Sequence, residues 1–125
     1  MTVSIKRVYD APEPGDGTRV LVDRLWPRGV SKKELESEHA EWLKDIAPSN
    51  ELRAWFGHDA SRFEEFERRY EAELAQPSAA AAYGRLCELR DQGDLTLLYA
   101  AKDEEHNNAE VLQRLLTDGW EPGGA

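Results

Sequence analysis

Two apolar periods run along the chain. In some stretches apolar residues are continuous or alternate with polar ones, and in others they recur every three or four positions. The first period predicts strands and the second helices. Val3 to Tyr9 reads as a strand, with β-branched Val3, Ile5 and Val8. The Pro-, Gly- and Asp-rich segment 11–17 is a loop. Arg19 to Leu25 is the next strand. Its centre, Val20-Leu21-Val22, is continuously apolar, as expected where both faces are covered. Leu95 to Ala101 is the strongest buried strand of all.

Helical spacing fills most of the rest. Ser31 and Glu34 form a capping box before a short helix. Segment 40–47 fits a strand as well as a helix, because Trp42, Lys44 and Ile46 alternate with Leu43 and Asp45. Ser49 or Asn50 caps a helix through Phe56, which Gly57 stops. Asp59 or Ser61 starts the clearest helix, with Phe63, Phe66, Tyr70 and Leu74 on one face. Further helices run from Ser78 to Asp91 and from about His106 to Thr117.

Interleaved strands and helices predict an α/β fold, with a small, mostly parallel sheet of three to five strands and helices packed on both faces. The loop between the first two strands is short for a parallel crossover, so an antiparallel hairpin is also open for that pair. A single domain over residues 1–125 is expected, with its core at about 3–118 and a flexible tail at 119–125. Parallel sheets bind ligands beyond the carboxyl ends of their strands. That rule selects two segments, Asp23 to Gly29 and Lys102 to Asn108.

Composition narrows the function classes. A net charge of -9 argues against nucleic acid and anionic membranes as partners. The charge is uneven, however. Between Arg19 and Lys33 stand five cations, Arg19, Arg24, Arg28, Lys32 and Lys33, against Asp23 alone. A local site for an anionic small molecule is compatible with that. The one cysteine, Cys87, lies on an apolar helical face and reads as a buried hydrophobe. No apolar run is long enough to span a membrane, and the N-terminus lacks the apolar core of a signal peptide, so a cytoplasmic protein is expected. Oligomeric state is left open.

Each selected segment has a functional and a structural reading. In the first, Pro27 and Gly29 shape a rigid loop that aims Arg24 and Arg28 at a carboxylate or phosphate, with Asp23 orienting one of them and Trp26 beside them. Alternatively, Asp23 and an arginine clamp the loop and Trp26 is core. In the second, Lys102, Asp103, His106, Asn107 and Asn108 precede a helix whose amino end favours an anion, while Asp103 also reads as the ordinary N-cap. Trp55-Phe56-Gly57-His58 could wall a pocket through His58, or simply close a helix onto the core. His39, His58 and His106 lack paired metal-ligand spacing, so no metal site is assigned, and the cofactor is left unknown. No phosphate-binding glycine loop, nucleophile elbow or Cys-x-x-Cys is present.

Three of these stretches carry a family resemblance: RVLVDRLWPRG, WLKDIAPSNELRAWFGHD and LTLLYAAKDEEHNNAEVL. Together they resemble the YeaO-like branch of a bacterial family, domain of unknown function family 488. The resemblance runs from about Ile5 to Leu116 and implies a compact α/β fold in a cytosolic bacterial protein. It implies no activity. The family's other branch is similar in placing Asp-x-Arg after one strand and Cys-His-Arg at a helix start. Here Val22-Asp23-Arg24 resembles the first with different spacing, and Glu105-His106-Asn107 replaces the second, so only the histidine carries over, to His106.

Two functional expectations follow. The first is a small enzyme on an anionic small molecule. Arg24 and Arg28 would hold the anion, His106 would serve as general acid or base, Lys102 would stabilise developing charge, and Asp23 or Asp103 would orient a partner. The alternative is a non-catalytic module that senses a ligand or docks on a protein.

Overall fold

The computed structural model describes residues 2–37 and 40–122, save the side chains of Glu34, Glu36 and Ser37. His39 therefore lies outside the described residues, as does the Glu34 side chain on which the Ser31–Glu34 capping box rests. The strands are β1 (Val3–Arg7), β2 (Thr18–Leu21), β3 (Glu41–Trp42) and β4 (Leu95–Tyr99). The helices are α1 (Lys32–Ser37), α2 (Asn50–Phe56), α3 (Phe63–Leu74), α4 (Pro77–Gln92) and α5 (Asn108–Asp118). The sheet has the order β1-β4-β2-β3, and every pairing in it is parallel. The protein is an α/β fold, as its apolar pattern predicts.

The most apolar strand takes the most covered place. In β4 every residue is buried, and alternate residues serve opposite faces. Leu95, Leu97 and Tyr99 join Val20 and Val22 beneath α2 to α5, while Leu98 joins Leu21, Val8 and Leu35 of α1 on the other face. Helices thus cover both faces, unequally.

The hairpin alternative for β1 and β2 is overturned. The two strands do not pair; both lie parallel to β4, which separates them. The crossover needs no α-helix. Segment 8–17 runs back across the sheet with one short helical turn, Pro14–Asp16. Lys6 Nζ pins it by donating to the Ala11 carbonyl at 2.9 Å and to the Glu13 and Asp16 carboxylates. Thr96 Oγ1 donates to the Asp16 carbonyl at 2.7 Å, and buried Arg19 lies 3.5 Å from the Asp16 carboxylate. One of the five clustered cations is thereby engaged at the crossover and does not line the cavity described below.

Three strands end sooner than predicted, at Arg7, Leu21 and Tyr99. The reason at β2 and β4 is a side chain. The Asp23 carboxylate accepts from the Ala100 N–H at 2.9 Å, taking the place a strand carbonyl would hold. The ladder stops there and the chains diverge. Segment 40–47 resolves into both of its predicted forms, β3 followed by a 3-10 turn, Lys44–Ile46. Ser49 caps α2 and Gly57 ends it in the left-handed region. Asp59 caps a 3-10 turn that leads into α3. At α5 the N-cap is Asn107, not Asp103.

Candidate functional site

Beyond Val22 and Tyr99 the neighbouring strands β2 and β4 part company. The chain after β2 leads to α1 on one face, and the chain after β4 leads to α5 on the other. A crevice at such a divergence is where open parallel sheets take ligands. Here it holds a cavity of about 600 Å³.

Asp23 forms its deep wall. Burial pushes this carboxyl above the usual carboxylate range, opposed by the Ala100 N–H, the Asn108 side chain and the charge of Arg53. Asn108 Nδ2 donates to the Val22 carbonyl at 2.9 Å, which fastens the start of α5 to the end of β2. Behind it the buried Tyr70 hydroxyl donates to the Ile46 carbonyl, and burial raises that hydroxyl well above a tyrosine's ordinary value. Trp42 Nε1 donates to the Asp23 carbonyl at 2.7 Å, so β3 braces the same point.

Arg24 lines the cavity without reaching across it. Its Nε and one terminal nitrogen donate to the Pro48 and Ala47 carbonyls at 3.4 and 3.2 Å. It is a strut between two loops. Trp26 also lines the cavity, its Nε1 donating to the Val30 carbonyl and its ring meeting Trp42 edge-on at 5.1 Å. Arg28 is exposed at the cavity and has no ion-pair partner among the described residues.

The second segment divides. His106, Asn107 and Asn108 line the cavity, whereas Lys102 and Asp103 do not. Lys102 is exposed on the turn. Asp103 organises that turn, accepting from the Glu105 and His106 N–H groups at 2.9 Å each. Those backbone donors, the Glu105 N–H foremost, and the His106 ring hold its carboxyl below the usual range. His106 Nδ1 stands 3.1 Å from the Asp103 carboxylate, and its ring packs edge-on against Phe63 at 5.1 Å. Acid and imidazole are thus paired, with the imidazole facing the cavity.

His58 lines the cavity as well. It is the only non-glycine residue with positive φ, 59°, among those described, and its ring lies 6.4 Å from that of Phe56. The crevice therefore gathers Asp23, Arg24, Trp26, Arg28, His58, His106, Asn107 and Asn108. It also includes Leu25, within the first selected segment, and residues outside both segments that sequence reasoning passed over: Tyr9, Asn50 and Arg53. Arg53 and Asn50 sit on the exposed face of a short helix, where a polar residue signals only solvent. Their one distinguishing mark is that α2 follows the end of β3.

The family model described as the inactive DUF488-N3 subclade matches residues 2–123. The chain belongs to this DUF488 family. The uncharacterized protein YeaO of Escherichia coli strain K12 is 46% identical over 112 residues, covering 90% of this chain and 94% of its own. Two mycobacterial relatives, the uncharacterized proteins Rv3073c of Mycobacterium tuberculosis strain H37Rv and Mb3100c of Mycobacterium bovis, are each 41% identical over 114 residues, 91% of this chain and 92% of theirs. No solved structure matches. The resemblance drawn from three motifs is borne out. In this DUF488 chain all three motifs contribute to the one crevice. No helix among the described residues is long and apolar enough to cross a membrane.

Proposed function

We propose that the protein binds an anionic small molecule in the crevice between the ends of β2 and β4, without transforming it. One observation carries the reading. In a chain with 25 acidic and 16 basic residues, the charged cavity lining is Arg24, Arg28 and Arg53 against Asp23. Local positive potential in an acidic molecule selects anions. Arg24 holds the wall, while Arg28 and Arg53 receive the ligand. The family's description as inactive favours binding over turnover.

Thermal unfolding with inorganic phosphate or acetate tests this. An anion at about a hundred times its Kd adds ~2.7 kcal/mol and raises the melting temperature by several degrees. The rise should vanish in Arg28→Ala and shrink in Arg53→Ala. An equal rise in the double variant, or none with either anion, would count against the site.

The His106–Asp103 pair supports a second reading, in which the bound molecule is also acted on. His106→Gln discriminates: under the binding reading it keeps the thermal response and no ligand is consumed by either protein.

A further inference from the structure

The described residues include two exposed large hydrophobic side chains, Tyr9 at 46% and Leu25 at 62%. They follow different strands, Tyr9 after β1 and Leu25 after β2. Both line the same cavity. The other large apolar side chains described are buried or half-buried, so these two stand out at one cavity, and exposed apolar groups gathered at a groove mark a binding surface. Tyr9 is also held in place. The Arg7 guanidinium stands over its ring at 5.1 Å and donates to the Ala100 and Ala101 carbonyls at the end of β4. The ring thereby packs on a guanidinium anchored to Ala100 and Ala101, which line the crevice.

We infer that the ligand is an amphipathic anion, in which an aromatic body covers Tyr9 and Leu25 while the charged group meets Arg28 and Arg53. The inference rests on the anion-binding reading and adds the other half of the molecule. A cavity of about 600 Å³ is ample for a ring and an anionic group together. Aromatic pairs gain from offset or edge geometry beyond the area they bury, and a ring already braced on one side loses little freedom on contact.

Calorimetric titration with matched probes decides it: phenyl phosphate against inorganic phosphate, and benzoate against acetate. The aromatic member of at least one pair should bind about tenfold tighter or more. That gain should disappear in Tyr9→Ala and Leu25→Ser while binding of the simple anion is unchanged, and Tyr9→Phe should restore it. Both side chains are exposed, so circular dichroism of the variants should match the parent. Equal affinity within both pairs would overturn the inference and leave the anion site standing. A gain that survives both substitutions would overturn it too, placing the ring elsewhere. Failure of all four probes would remove the anion site itself. Concentration-dependent self-association abolished by Leu25→Ser, without aromatic preference, would instead assign the patch to a second copy of the chain.

Discussion

Asp23 is a carboxylate placed where charge is costly and one hydrogen bond is indispensable. Burial raises its carboxyl, so the folded chain holds a proton there more tightly than the unfolded chain. The ionised form therefore subtracts stability above the folded pKa, and the penalty fades as pH falls toward the ordinary aspartate range. Asp23→Asn keeps an acceptor for the Ala100 N–H and removes the charge. In urea denaturation it should be at least as stable as the parent at neutral pH, with its advantage shrinking toward about pH 4. Asp23→Ala leaves that N–H without its acceptor and should cost about 1–3 kcal/mol at either pH. The sequence marks Asp23 well, since an acid after an apolar run needs a reason. It does not reveal that Arg24, which lines the cavity, also bonds to carbonyls more than twenty positions onward, at Ala47 and Pro48. Lys102 was singled out on the same logic of polarity after a buried strand, yet its turn carries it outside the crevice.

Among the elements, α5 depends most on a single residue. Asn107 is buried at 3% exposure; its Oδ1 accepts from the Glu110 N–H at 2.8 Å and its Nδ2 donates to the Asp103 carbonyl at 2.9 Å. It starts the helix and ties down the turn that carries His106. Asn107→Ala should destabilise by about 1–2 kcal/mol, and Asn107→Asp, which keeps the capping acceptor alone, should fall between it and the parent in chemical denaturation. Helices were legible because their signals are local: Ser49, Gly57 and Asp59 each act within a few residues. Strand ends were not. Apolar patterning continues through Val22 and Ala101, but the ladder is cut by a carboxylate whose partner lies 77 positions away. The ambiguity of segment 40–47 has a different origin, since a two-residue pairing leaves too little pattern to separate strand from helix.

The whole molecule turns on β4, and sequence adjacency hides this. Nothing within residues 1–20 reveals that β1 and β2 are held apart by a strand made much later. The crossover is admitted by Gly17, at φ 65°, where an added Cβ would lie 2.2 Å from the Asp94 carbonyl oxygen. Gly17→Ala should therefore lower stability by about 2 kcal/mol or more, whereas Gly15→Ala, with nothing within 4 Å of the added carbon, should change it by no more than about 0.5 kcal/mol. Thermal melts of the two variants check the contrast. The central place of β4 also sets an order of events on the ribosome. Val3 pairs with Leu95 and Thr18 with the same residue, so β1 has no ladder to join until Leu95–Tyr99 emerges, and β2 has only the two-residue pairing with β3. Synthesis runs from one end of the chain to the other, but the four-stranded sheet is complete only once β4, which lies inside it, has been made. The earliest strand is thus the one that waits longest for its partner.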